Sequence, residues 1–460
     1  MASNNSSNAG TLGVSAYLPV PHIPSIITEW SALFPLICHL ANYEEDHQMV
    51  GELALAGHLT VGLFPKLGYL NGIWRLLEGG PNFLDRANNS DESKYKVWDV
   101  NWGSVFTGSN GAAISIITKY ALRMKLQPLR MPHGLLVDPS GVSHERTPAV
   151  LSGDLGGKVV TKAPFRRYQT LHVISMSRKV HAPSIRGIFC KAALSQCGEI
   201  AYAVILVGIV VLFCLLGAYG SATVVFSGVF SKIVCRLLQV ERPAGYLENN
   251  ENHEACMLSA VHENASTWYL YIGDRGVIDW LLNKTMLSTP PAGSVLTAYF
   301  RLAHLSQLLA MTFVAAQKGV DGVSLVVLML ANYILQRLFG HHQMAREWLE
   351  KEDVSTDAHT FEFSGRTPML GAIHMLSAAR DADWMDTLLA PRPRIKVWVD
   401  ELKCNAKTRP QLARDLQDLS PSDRSWVLLN SQLAIEAARL ISHKLAHENF
   451  VKDTGVDKDS

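Results

Sequence analysis

Apolar positions are gathered rather than spread along this chain. Two blocks, Ala201–Leu238 and Val295–Phe339, each run for about twice the ~20 residues that one passage through the ~30 Å bilayer core requires. The first is broken by Gly217 and Gly220, the second by Lys318-Gly319-Val320-Asp321-Gly322. This pattern predicts two transmembrane hairpins, over residues 199–240 and 294–339, and so four spans. The fold class it implies is mainly α: a membrane helix bundle with mostly helical cytosolic regions and a small β element.

Outside the blocks the periodicity changes. Residues 1–24 are rich in Ser, Asn and Pro and poor in charge, a composition that favours disorder. Helical spacing covers Ile26–Leu40, Val50–Leu77, Gly111–Leu126, Met344–Glu350, Pro368–Leu376, Asp381–Leu389 and Ser422–His447. Val50–Leu77 is apolar but interrupted by His58, Pro65, Lys66, Asn71 and Arg75, and reads as a buried or membrane-surface helix. Gly79–Trp102 is polar and loop-like. Short β-branched runs between Gly and Pro turns over Leu135–Val173 supply the β element. The expected organisation is an N-terminal cytosolic region over 25–198, the hairpin 199–240, a cytosolic loop over 241–293, the hairpin 294–339 and a helical cytosolic region over 340–460.

Lys and Arg beside apolar spans set their orientation. Arg166, Arg167, Arg178, Lys179, Arg186 and Lys191 precede the first block, and Lys232, Arg236 and Arg242 close it. Arg301, Arg337 and Arg346 flank the second, and Lys318 is the one cation at a hairpin tip. Both termini and the middle loop are therefore expected in the cytosol. A rival arrangement has three spans, with Ser221–Leu238 lying along the membrane and the sequons at Asn264 and Asn283 outside. The N-terminus lacks the basic-then-apolar form of a cleavable signal, and the expected location is the endoplasmic reticulum, another endomembrane or the plasma membrane.

Composition narrows the partners. A formal net charge of +1 over 460 residues argues against nucleic acid. The seven cysteines form no C-x-x-C pair and no metal-ligand spacing, so neither a disulfide scaffold nor a metal site is expected. The expected partners are the lipid bilayer itself and a lipophilic small molecule or other proteins of a pathway. No cofactor can be named.

Candidate chemistry is densest in the middle loop, where His253-Glu254, His262-Glu263, Asp274 and Asp279 fall close together in sequence. Imidazole and carboxylate are the groups a general acid/base pair uses, which makes these six the catalytic candidates. Solvated polar residues above a membrane are the competing reading. Arg301, His304 and Gln307 share one face of the third span at helical spacing and are the substrate-binding candidates; helix–helix hydrogen bonding is the structural alternative. Gly153–Lys158 superficially resembles a phosphate loop but is one residue short, with Val159 where Ser or Thr is needed.

Two segments carry a resemblance. W-Y-L-Y-I-G-D-R-G-V-I-D-W-L-L-N-K-T-M over Trp268–Met286, and Arg366–Trp398 with its W-M-D-T-L-L-A-P-R-P-R, resemble a family of uncharacterised fungal multi-pass integral membrane proteins. That resemblance implies no assigned activity and no site residues. Some such proteins are encoded beside secondary-metabolite genes. The functional expectation is a membrane-bound component of such a pathway, acting on or holding a terpenoid or polyketide intermediate. A non-enzymatic membrane adaptor ranks second and a transporter third; whether the chain is an enzyme stays open.

Overall fold

The structure is a computed structural model and describes residues 23–41, 45–59, 61–62, 66–88, 94–123, 128–131, 168–178, 201–236, 241–249, 251, 253–288, 294–317, 319–339, 341–377, 382–403 and 409–453. At its centre is a hairpin of β5 (Ala255–Ala260) and β6 (Thr267–Gly273). Every residue of β5 is buried, as happens when a sheet is covered on both faces. Antiparallel to β5 on its other side runs β1 (Lys96–Asp99), followed by β2 (Val105–Thr107). Parallel to β6 runs β4 (Gln169–Arg178), then β7 (Val354–Phe363) antiparallel to β4, and the short β3 (Leu129–Arg130) at the far edge. The result is a seven-stranded mixed sheet in the order β2-β1-β5-β6-β4-β7-β3.

Alternation along each strand divides the core. Ala255, Met257, Tyr271, Ile174 and Met176 point to one face, where they meet α2 (Asp46–Ala56), α3 (Tyr69–Gly79), α5 (Gly111–Arg123), α8 (Arg275–Leu282) and α11 (His341–Lys351). Cys256, Leu258, Leu270, Leu171 and Val173 point to the other, against α12 (Arg366–Leu376), α13 (Pro393–Leu402), α14 (Arg409–Asp418) and α15 (Pro421–Asp453). The short α4 (Pro81–Asn88) packs on α2 and α3.

A third apolar cluster lies apart from the sheet. It is formed by α1 (Ser25–Ala41), α6 (residues 201–215), α7 (Tyr219–Arg236), α9 (Ser294–Gln317) and α10 (Val320–Phe339), around Leu206, Val225, Val314 and Leu325. The breaks between α6 and α7 and between α9 and α10 meet at one end of this layer. There the Asp321 carboxylate accepts from the backbone N–H of Gly220 (2.8 Å) and Ser221 (2.7 Å), and the Ser221 hydroxyl donates to the Asp321 carbonyl (2.8 Å). The first free N–H groups of α7 thus find a buried anion, the partner a helix N-terminus favours.

These helices do not make the expected membrane bundle. Among the described residues, no helix is long and apolar enough to cross a membrane. The 15 described residues of α6 rise about 22 Å and the 18 residues of α7 about 27 Å, both short of the ~30 Å core. Helix α9 is longer, but Arg301, His304, Ser306 and Gln307 interrupt it; α10 carries Asp321, Asn332, Gln336 and Arg337. The four-span, mainly α fold class is therefore replaced by an α/β fold with a central mixed sheet. The multi-pass assignment falls with it, as does a multi-pass location in an endomembrane or the plasma membrane. So does the role of holding a pathway intermediate between spans, with its membrane adaptor and transporter alternatives.

Other expectations change too. The region 241–293, expected as a loop, contributes β5, β6 and α8, the centre of the sheet. Val50–Leu77, expected as one helix, is two, split at Gly57 (φ 74°) and Gly68 (φ 88°). Gly79–Trp102 holds α4 and β1 rather than loop alone. Gly153–Lys158 and most of Leu135–Val173 lie outside the described residues.

One position tests the sheet's centre. Gly273 sits at φ 123° where β6 meets β4, and a Cβ there would collide with the Met176 carbonyl oxygen, which already accepts from Asp274 N–H at 2.8 Å. Gly273→Ala is expected to cost about 3 kcal/mol through backbone strain and overpacking, read as a lowered thermal midpoint.

Candidate functional site

The six catalytic candidates do not converge. His253 and Glu254 are exposed just before β5, whereas His262 and Glu263 follow its other end. A six-residue strand lies between the two pairs, a span of about 20 Å. Glu263 receives a hydrogen bond from Lys96 Nζ, which holds its carboxyl below the usual range. His262 Nδ1 accepts from the Asn264 backbone N–H at 3.1 Å. Asp274 caps α8, accepting from Val277 N–H at 3.1 Å. Asp279 pairs with Lys284 Nζ at 2.8 Å and accepts from Asn283 Nδ2 at 3.0 Å. Glu263, Asp274 and Asp279 are thus committed to local structure.

The ion pair buried in this region is a different one. Arg275 donates to Asp99 Oδ2 at 2.9 Å and its Nε lies 3.1 Å from Glu251. Asp99 Oδ1 also accepts from the backbone N–H of Asn101 and Trp102. The pair ties the end of β1 to the start of α8. Neighbouring Cys256 is no nucleophile, because burial, and secondarily the Asp99 charge, push its thiol up to about 12.

The substrate-binding candidates are divided between packing partners. Arg301 lies 5.1 Å over the Trp74 ring of α3, a cation–π contact. Gln307 is buried, and His304 is half-buried near His39 of α1. The stripe belongs to helix packing.

What the five-helix layer exposes is apolar. Most of the large hydrophobic side chains that are solvent-exposed in the described residues belong to it: Ile26 is 75% exposed, Leu309 69%, Val204 66% and Val327 61%. The whole sequence of these helices carries six charges: Glu29, Lys232, Arg236, Arg301, Asp321 and Arg337. Asp321 is buried at the tip. Lys232 and Arg301 sit at the opposite, sheet-side end, where Val234, Cys235, Phe300 and Ala303 enter the sheet's own core. At that base Lys232 Nζ lies 4.7 Å over the Tyr202 ring, and Tyr299 exchanges a hydrogen bond with Ser231 at 2.9 Å. The base is thus cationic and aromatic, and the shaft is apolar.

One concave site lies beside that base. The start of α2, the end of α3 and α4 enclose a cleft of about 620 Å³, with Glu45, Asp46, His47, Arg75, Glu78 and Arg86 among its walls. His47 Nδ1 is 3.0 Å from Glu45 Oε2, and Arg75 Nη2 donates to Asp46 Oδ1. Burial raises the Asp46 carboxyl above its ordinary range, while Arg75 and His47 pull it back. Sequence reading missed the cleft because its walls are far apart in the chain. The run Glu45-Asp46-His47 at the head of an apolar helix is the one local cue. No group of three or more His, Cys, Asp or Glu among the described residues is placed to hold a metal ion.

No known protein family matches the chain, and no curated protein or solved structure does either.

Burial of His39, with His304 nearby, lowers its imidazole from 6.5 to about 4. The folded state therefore binds fewer protons there than the unfolded chain. The stability this confers is complete above pH 6.5 and is lost as pH falls toward 4. His39→Gln is expected to flatten that acid loss by on the order of 2 kcal/mol, measured as the difference between urea unfolding curves of the two proteins across the window.

Proposed function

We propose that the chain works docked on a lipid surface. Its helical layer enters the apolar zone of one leaflet, its α/β body stays in water, and no helix passes through. The observation that carries this reading is the concentration of exposed apolar side chains on one layer, beyond what an ordinary protein surface tolerates. Moving one half-exposed leucine-sized side chain out of water contributes about 1 kcal/mol. Ten of them supply about 10 kcal/mol, against the roughly 8 kcal/mol of micromolar attachment. The cationic and aromatic base, with Lys232, Tyr202 and Tyr299, suits the headgroup level, where aromatic rings anchor and a cation meets anionic lipid.

The test is co-flotation of the full chain with vesicles of phosphatidylcholine, alone or with phosphatidylserine. Attachment to both is expected, stronger with phosphatidylserine and weakened by salt. Leu309→Glu combined with Val327→Glu should lower the bound fraction at least about tenfold. Leu428→Glu, an exposed position on α15, should leave it unchanged. A chain that stays monodisperse without lipid and never floats would overturn the reading. So would a discrete dimer that buries Leu309 and Val327 in place of lipid.

A further inference from the structure

The cleft of α2, α3 and α4 has its own chemistry, independent of the lipid reading. Inside it Asp46 is paired with Arg75, and Glu45 lies 3.0 Å from His47 Nδ1. Arg75 also lies over the Phe83 ring at 5.8 Å, and its Nε is buried with no hydrogen-bond partner among the described residues. The wall charges left over are opposite in sign. Glu78 on α3 and Arg86 on α4 are both exposed, and neither has an ion-pair partner among the described residues. An anion alone would be drawn to Arg86 but repelled by Glu78 and the inner carboxylates. A cation alone would meet the reverse. A molecule carrying both charges satisfies both walls.

We propose that this cleft binds a small zwitterion, with its ammonium on Glu78 and its carboxylate on Arg86. The volume of about 620 Å³ is in the range of small-molecule sites and admits an amino acid or a dipeptide. Phe83, buried at 8% exposure, gives the wall an apolar floor for the ligand's carbon skeleton. His47, held at Nδ1 by Glu45 and itself 8% exposed, adds a fixed imidazole beside it.

Calorimetric titration of the full chain tests this, with L-glutamine and glycylglycine as zwitterions and acetate and propylammonium as singly charged probes. The zwitterions should bind, and each singly charged probe should bind at least about tenfold more weakly. Glu78→Gln and Arg86→Gln should each weaken zwitterion binding by about tenfold, with Arg86→Lys recovering part of the loss. Because both side chains are exposed, these variants should fold, and an unchanged thermal midpoint checks that they do. Acetate binding as tightly as glutamine would overturn the proposal in favour of a plain anion site. No heat from any probe at millimolar concentration, in protein that unfolds at the normal thermal midpoint, would overturn it outright. Neither result bears on lipid attachment.

Discussion

The structure depends on burying both faces of one hairpin. Strand β5 is buried throughout and β6 has no fully exposed residue, so each face has its own helical cover: α2, α3, α5, α8 and α11 on one, α12 to α15 on the other. That demand brings distant parts of the chain together. The Asp99–Arg275 pair then holds the sheet's end against α8. The backbone N–H groups of Asn101 and Trp102 also donate to Asp99, and removing Arg275 would still leave a buried carboxylate without its countercharge.

The helical layer is rooted in this core. Phe300 and Ala303 of α9 and Val234 and Cys235 of α7 belong to the sheet's apolar cluster, while their outer halves form a separate one. Asp321 binds the far ends of the two hairpins together, so the layer stands as one unit. Its position follows from the body, and its surface does not resemble the body. A protein with such a division carries two environments in one fold.

Much of the helical content was legible in the sequence, and the sheet was not. Helices such as Ser25–Ala41, Gly111–Arg123 and His341–Lys351 lie within a few residues of where apolar spacing put them, because a one-sided helix writes its period into the chain. The strand A-C-M-L-S-A is buried on both faces and lacks the alternation that marks a half-buried strand. The parallel pairing of its hairpin partner β6 with β4, Thr170 beside Thr267, spans far more sequence than any local window covers. Apolar length misled in the other direction. Blocks long enough for two passages each proved to be separate helices, one pair parted at Gly217 and the other with α9 ending at Gln317 and α10 starting at Val320, with His304 and Gln307 turned toward other helices. The His–Glu pairs were close in sequence, but extended backbone put them at opposite ends of β5. The cleft was illegible for the opposite reason, since Asp46 and Arg75 meet only after α2 and α3 fold together.

The sheet order has a consequence for synthesis. Strand β3 pairs only with β7, and β4 lies between β6 and β7. Among the described residues, β3 therefore gains a partner, and β4 its second one, only after residue 363 has left the ribosome. By then α1, α6, α7, α9 and α10 have all emerged, with their apolar faces uncovered. Non-local pairing is slow, and exposed apolar surface in the interval invites aggregation. The nascent chain thus presents its greasiest helices well before the body that anchors them is complete, and a chaperone or a waiting surface has that interval in which to engage them.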